Sequence, residues 1–113
     1  MLKVLFICSQ NRMRSPTAEQ LFARHPGVEC ASAGLNRWAD NPLSGALLEW
    51  ADMIFVMEQA HVSQLSAHYA PYLGGKRVVC LDIPDIYPYM DPGLIELLQT
   101  KVRPLLPPAD AAR

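Results

Sequence analysis

The chain has 113 residues, of which 50% are hydrophobic and 19% are charged, and this length and composition predict one globular domain over residues 1–113. The formal net charge of −1 gives no global basic field for nucleic acid or an anionic membrane, so we expect neither as a partner and any anion site must be local. No segment approaches the roughly 20 apolar residues of a membrane span, and the N-terminal MLKVLFICSQ is too short for a signal peptide. We therefore expect a cytoplasmic protein; its oligomeric state stays open.

Hydrophobic runs and helical patterns alternate along the chain. The run KVLFI predicts a buried strand, followed by a helix over SPTAEQLFARH with Ser15 as its N-cap and Pro16 at its first position. The later predicted elements are, in chain order, strand VECASAG, helix PLSGALLEWA, strand DMIFVM, helix EQAHVSQLSAHYA, strand KRVVCLDI and a last helix from MDPGLIELLQTKVRPLL, capped by Asp91 and ended by the tail PPADAAR. Such alternation predicts a small doubly wound α/β domain with a parallel four-stranded sheet and helices on both faces.

The cysteines and histidines do not form a metal-binding pattern. Cys8, Cys30 and Cys80 are odd in number and widely spaced, which predicts free thiols rather than a disulfide framework or a zinc site. His61 and His68 lie seven residues apart on a predicted helix with no acidic or thiol partner in register, so we expect both on a solvated helix face. The sequence predicts no metal and no cofactor.

The turn between the first strand and the first helix carries the strongest chemical signal. Cys8 lies at the carboxyl end of that strand, where doubly wound folds bind ligands, and Arg14 follows after five residues. A loop entering a helix N-terminus points backbone N–H groups at one spot and favours an anion there, either a phosphate or a nucleophilic thiolate. The planar fork of Arg14 can hold two phosphoryl oxygens. The predicted phosphate-binding residues are Ser9, Gln10, Asn11, Arg12, Met13, Arg14 and Ser15, with Asn11 tying the loop to itself and Ser15 donating to the thiolate.

A cysteine that attacks a phosphomonoester also needs a proton donor for the leaving oxygen. The segment CLDIPDIYPYMDP offers Asp82 and Asp85 just past the fourth strand, at the same sheet edge as Cys8. Asp85 is preferred because Asp82 follows the strand closely enough to anchor the turn. Tyr87 and Tyr89 are as suited to a structural role as to an aromatic wall for a flat substrate.

Four segments in this order, FICSQNRMRSPTAE, ASAGLN, WADMIFVME and DIPDIYPYMDP, resemble the low-molecular-weight protein tyrosine phosphatase family over nearly the whole chain. The resemblance implies a phosphorylated protein or a small aryl phosphate as the substrate, and no metal. It also implies roles for individual residues: Cys8 as nucleophile, Arg14 as phosphate clamp, Asn11 and Ser15 as loop supports, and Asp85 as general acid.

The chain departs from the family pattern at four places. Gln10 replaces a glycine of the loop, Met13 replaces a second loop cysteine, and Ile86 replaces the proline after the aspartate. The segment between SAG and LLEWADMIFVM, residues 35–46, is much shorter than in the family and should leave the site more open. Arg12 is an added cation, which would favour acidic or polyphosphorylated substrates.

Three functions fit these observations. The first is a metal-free phosphomonoester hydrolase that works through a cysteinyl-phosphate intermediate, as a protein tyrosine phosphatase does. The second is a phosphate-binding regulatory module with little turnover. The third is a thiol-dependent arsenate reductase, which needs resolving cysteines after the third strand, and residues 58–76 contain none.

Overall fold

Four strands form a single sheet in which every neighbouring pair is parallel. The computed structural model describes residues 1–108, so the last five residues of the predicted tail lie outside the described part. The strands are β1 (Leu2–Cys8), β2 (Val28–Gly34), β3 (Met53–Val56) and β4 (Arg77–Cys80). Their spatial order is β2–β1–β3–β4, which places β1 in the interior of the sheet. The predicted doubly wound α/β fold is confirmed, although β4 ends three residues earlier than predicted.

The helices connect the strands as predicted, with one difference at the first. They are α1 (Arg14–Phe22), α2 (Gly45–Trp50), α3 (Gln59–His68) and α4 (Pro92–Val102), with short 3₁₀ turns at Ala70–Tyr72 and Arg103–Leu105. The Asp91 carboxylate accepts hydrogen bonds from the first turn of α4, so its predicted capping role is confirmed. Ser15 is not an N-cap, because α1 already begins at Arg14 and the hydroxyl turns towards Cys8 instead.

Each face of the sheet carries its own hydrophobic core. Along β1, Val4 and Phe6 point into the core under α1 and α4, while Leu5 and Ile7 point into the core under α2 and α3. The Phe6 ring stacks on Phe55 with centroids 5.4 Å apart. A strand buried on both faces has little freedom to shift. The end of β1, where Cys8 lies, is therefore a fixed position from which to build a site.

The remaining cysteines are packing residues. Cys30 and Cys80 are half-buried free thiols, as predicted, and pack against opposite cores. Burial, helped by the negative charge of Glu19, raises the pKa of Cys30 to about 12, so this thiol stays protonated at neutral pH. Within residues 1–108 no helix combines the length and the hydropathy needed to cross a bilayer.

Candidate active site

The loop between β1 and α1 is held from outside by the short segment that follows β2. Three backbone N–H groups of that segment donate to three successive loop carbonyls: Leu35 to Cys8 at 2.9 Å, Asn36 to Ser9 at 2.9 Å, and Asp40 to Gln10 at 3.1 Å. In a planar trans peptide the C=O and the following N–H point in opposite directions. The N–H groups of residues 9, 10 and 11 are therefore turned towards the inside of the loop, where an anion would lie.

Asn11 occupies the point at which the loop reverses direction. Its φ of 55° is in the left-handed region, which asparagine tolerates better than most residues. This turn aims the Asn11 backbone N–H at the Cys8 Sγ, 3.2 Å away. The conformation thus supplies one hydrogen bond to the sulfur, and it is reached with Gln10 at the position before Asn11.

A chain of side-chain hydrogen bonds delivers a second donor to the same sulfur. A charged Glu19 carboxylate can only accept, so Ser32 donates to Glu19 (2.5 Å), and Ser32 Oγ in turn accepts from Asn11 Nδ2 (3.0 Å). The same Asn11 amide donates to Ser15 Oγ at 2.9 Å. The Ser15 proton is then free for the Cys8 Sγ, 2.9 Å away, since its other acceptor, the Ala33 carbonyl, is more distant at 3.4 Å.

Arg14 is almost completely buried and its guanidinium orientation is fixed. Its Nη1 donates to the Ile83 carbonyl at 2.7 Å and to the Glu58 carboxylate at 2.8 Å. These two acceptors occupy one nitrogen of the fork. The edge formed by Nε and Nη2 is not engaged by these two acceptors. Asp85 Oδ1 lies 3.7 Å from Nε. The fork is therefore positioned to offer two parallel donors to an oxyanion.

The two candidate aspartates lie in different surroundings. Asp85 lines a cavity of about 160 Å³ together with Cys8 and Arg14. Asp82 has a φ of 52° and does not line this cavity; its carboxylate accepts a hydrogen bond from the Cys80 thiol. The geometry brings Asp85, rather than Asp82, to the cavity that Cys8 lines.

The loop residues divide by the direction in which they face. Gln10, Arg12 and Met13 complete the lining of the same cavity, whereas Asn11 and Ser15 are buried behind it. Ser9 lines a second cavity instead. The Arg12 guanidinium forms an exposed ion pair with Asp40 at 3.3 Å, so it is not an unpaired cation. Tyr87 packs against a core and Tyr89 is half exposed, and neither lines the cavity.

His61 does not lie on a solvated face, and the prediction for it was wrong, whereas His68 is exposed as predicted. The Nδ1 of His61 accepts the backbone N–H groups of Met57 (3.3 Å) and Glu58 (3.2 Å), so the ring proton must lie on Nε2. That nitrogen is 3.0 Å from Ser9 Oγ. Burial first and the Arg14 charge second lower the pKa of His61, which keeps the ring neutral. His61 thus holds the start of the loop from the α3 side.

Sequence reasoning missed four residues that support the site: Glu19, Ser32, Glu58 and His61. Glu19 follows Ser15 by four residues on α1, a spacing that places both side chains on one helix face. His61 is the third residue of α3, from which a side chain can reach back to the N-cap amide. These local signals were available, but each residue's partner comes from another strand or loop.

No group of three or more His, Cys, Asp and Glu side chains within residues 1–108 is arranged to hold a metal ion. A cysteine whose sulfur receives two hydrogen bonds, a buried arginine and an aspartate line one small cavity of a doubly wound sheet, and a cysteine-dependent phosphatase uses this set of side chains. Comparison with known proteins supports the assignment to this class of phosphatase. Residues 3–47 match the family model described as low molecular weight phosphotyrosine protein phosphatase.

The low molecular weight protein-tyrosine-phosphatase Wzb of Salmonella typhimurium is 32% identical over 115 aligned positions, which cover 75% of this chain and 76% of the relative. The chain therefore belongs to the low-molecular-weight protein tyrosine phosphatase family, and it is a cysteine-based phosphatase. Neither the arsenate reductase nor the binding-module interpretation is favoured.

Two solved structures match the fold over nearly the whole chain. The tyrosine phosphatase Wzb from Escherichia coli K30, in complex with phosphate, has a TM-score of 0.76 at 24% identity and covers 100% of both chains. The YwlE arginine phosphatase from Geobacillus stearothermophilus has a TM-score of 0.77 at 20% identity, covering 98% of this chain and 92% of its own.

Proposed function

We propose that this chain hydrolyses phosphotyrosine in proteins, and small aryl phosphates, through a cysteinyl-phosphate intermediate on Cys8. The site residues that we assign are Cys8 as nucleophile, Arg14 as clamp, Asp85 as general acid and base, and Ser9, Gln10, Asn11, Arg12, Met13, Arg14 and Ser15 as the phosphate-binding loop. The name of the Salmonella relative supports tyrosine phosphate as the substrate class.

In the first step the Cys8 thiolate attacks phosphorus, forming the S–P bond while the bond to the phenolic oxygen breaks. Asp85 donates its proton to that oxygen, so the leaving group departs as a neutral phenol. The charge that spreads over the three equatorial oxygens is met by the inward loop N–H groups and by the Nε and Nη2 edge of Arg14. Because these donors are already oriented, little reorganisation is needed as the charge develops.

In the second step Asp85, now a carboxylate, accepts a proton from a water molecule that attacks phosphorus. The P–S bond breaks and inorganic phosphate leaves. Cys8 returns as a thiolate, stabilised by the Ser15 hydroxyl at 2.9 Å and the Asn11 N–H at 3.2 Å. The same two donors that prepare the nucleophile therefore also make it a good leaving group.

One observation carries the proposal: the Cys8 sulfur receives two hydrogen bonds and lines the same small cavity as Arg14 and Asp85. The test is hydrolysis of p-nitrophenyl phosphate and of a phosphotyrosine peptide, without added metal, from pH 4 to 8. Cys8→Ser and Arg14→Ala should reduce kcat by at least about a thousandfold, and Asp85→Asn by about a hundredfold.

Asp82→Asn is the matched control, since it makes the same change to the neighbouring aspartate and should keep near wild-type activity. Equal losses in Asp82→Asn and Asp85→Asn would contradict the assignment of Asp85. No turnover by the wild type would overturn the proposed activity. A phosphoarginine peptide belongs in the substrate set because one structural neighbour is an arginine phosphatase.

We further propose a cytoplasmic location. All three cysteines are free thiols, and reduced cysteines are typical of reducing compartments. A nucleophilic Cys8 also requires a reducing environment to stay active.

A further inference from the structure

A second and larger cavity, of about 650 Å³, is lined by Ser9 and shares no lining residue with the cavity of Cys8, Arg14 and Asp85. Ser9, Asn36 and Arg37 form one wall, and Gln64, His68 and Tyr69 of α3 and its C-terminal end form the other. This volume is in the range of sites that bind small molecules or peptide side chains, roughly 300–1,000 Å³. None of Cys8, Arg14 and Asp85 lines this cavity.

Among residues 1–108, those that line this cavity include basic side chains and no acidic ones. No aspartate or glutamate lines the cavity, whereas Arg37 and His68 do, and Asn36 and Gln64 add amide donors. The Arg37 guanidinium lies 5.0 Å over the Trp38 ring and has no carboxylate within 4.0 Å among residues 1–108. The occupant that complements a free guanidinium beside amide donors is an anion.

The cavity is close enough to the nucleophile for one substrate to reach both. Ser9 directly follows Cys8, and their Cα atoms are about 3.8 Å apart, as for any trans peptide. Asn36, on the same wall, donates its backbone N–H to the Ser9 carbonyl at 2.9 Å. An extended peptide advances about 3.3–3.6 Å per residue. Two to four residues of extended peptide span about 7–14 Å, which exceeds the step from Cys8 to Ser9 and leaves room for a substrate to pass from one cavity into the other.

We propose that this second cavity binds the carboxylate of an aspartate or glutamate two to four residues from the phosphorylated tyrosine of a protein substrate. The inference rests on the proposed function and adds a sequence preference to it. It assigns the acidic preference to Arg37 and its surroundings rather than to Arg12, whose guanidinium is already paired with Asp40.

The test uses phosphotyrosine peptides that carry one glutamate at positions two, three or four on either side, each paired with a peptide that has glutamine there. For the wild type, kcat/KM should favour the glutamate peptide about threefold to tenfold at one or more positions. The same peptides are titrated against the Cys8→Ser variant by fluorescence anisotropy. This binding measurement reports on the cavity even if turnover is absent.

Charge changes at Gln64 provide the sharpest variants, because this exposed residue of α3 lines the cavity and glutamine, glutamate and lysine have similar helix propensities. Gln64→Glu and Arg37→Gln should bring the glutamate preference to about one, and Gln64→Lys should increase it. The matched control is Gln99→Glu on α4, an exposed glutamine beside the opposite core, which should keep the wild-type preference. All four variants should hydrolyse p-nitrophenyl phosphate at the wild-type rate.

The proposal is overturned if the wild type and the Cys8→Ser variant show no preference for glutamate at any position. It is also overturned if Gln64→Glu, Arg37→Gln and Gln99→Glu all retain the same preference. Failure of the proposed function gives a different result, namely no hydrolysis of p-nitrophenyl phosphate or of any peptide. In that case the anisotropy titration of the Cys8→Ser variant still shows whether the second cavity binds the glutamate side chain.

Discussion

Replacing Gly34 by alanine should distort the loop between β1 and α1, although Gly34 does not line the cavity of Cys8, Arg14 and Asp85. Gly34 is the last residue of β2, and a Cβ built on it would lie 2.4 Å from the Ala39 Cβ, 2.8 Å from the Ser9 carbonyl oxygen and 3.0 Å from the Asn11 nitrogen. Two of these three atoms belong to the backbone of the loop, so rotation of a side chain cannot relieve the contacts.

The displacement follows from the distances. Ordinary contacts begin near 3.4 Å, so the Ser9 carbonyl must retreat by about 0.6 Å and the Ala39 methyl by about 1.0 Å. Overpacking of this kind costs roughly 1–3 kcal/mol of folding free energy. A shift of about 1 Å in groups that position a reaction lowers rates by roughly a hundredfold. Because the loop carbonyl shifts by about 0.6 Å, we expect kcat to fall by about tenfold to a hundredfold and the free energy of unfolding to fall by about 1–3 kcal/mol.

Gly74→Ala is the matched control, because its added Cβ meets nothing within 4 Å. Hydrolysis of p-nitrophenyl phosphate and urea denaturation would be measured for both variants and the wild type. Gly74→Ala should keep full activity and change stability by less than about 1 kcal/mol. If Gly34→Ala behaved like Gly74→Ala in both assays, the argument that the segment after β2 holds the loop in shape would be refuted.

Two further predictions concern the folding free energy, measured by urea denaturation. The wild type should lose stability as the pH falls below 6.5 and through the lowered pKa of folded His61, because the unfolded imidazole takes up a proton that the buried ring resists. His61→Gln should reduce this loss, exposed His68→Gln should not, and equal pH slopes in all three proteins would contradict the burial argument. Asp91→Ala should cost about 1 kcal/mol because the carboxylate accepts the N–H groups of Gly93 (2.9 Å) and Leu94 (3.2 Å). Asp91→Asn should recover most of that loss, and an undiminished stability of Asp91→Ala would show that the cap contributes nothing.

The elements of this fold could be predicted because their signals are local. Buried strands such as KVLFI and the Asp91-Pro92 helix start depend on residues that are neighbours in sequence. Ser15 shows where local signals mislead. Ser-Pro before a helical pattern is typical of an N-cap, yet the hydroxyl is 2.9 Å from Cys8 Sγ and accepts from Asn11. The helix starts at Arg14, two residues before Pro16, and the Ser15 side chain contacts the loop rather than the helix end.

The catalytic candidates could be found in the sequence, but the residues that hold them could not. Cys8 and Arg14 stand at a recognisable spacing on one loop. Glu58, the N-cap of α3, contacts Arg14 at 2.8 Å, and His61, in the first turn of α3, contacts Ser9 at 3.0 Å. A helical pattern reports which face of α3 packs on the sheet. It does not report that the first turn of α3 lies against another loop.

The short segment after β2 explains how this chain keeps a phosphate loop with so few residues beside it. The support that the segment gives to the loop comes from backbone N–H groups, which any residue except proline can supply. Ala39 packs against Gly34 and Asp40 pairs with Arg12, but an exposed side chain of the same segment such as Arg37 is free to vary without loss of loop geometry. Arg37 is an example, since its side chain lines the second cavity while the backbone N–H of its neighbour Asn36 donates to the Ser9 carbonyl. Catalysis and substrate preference can thus depend on the same few residues, the first through their main chain and the second through their side chains.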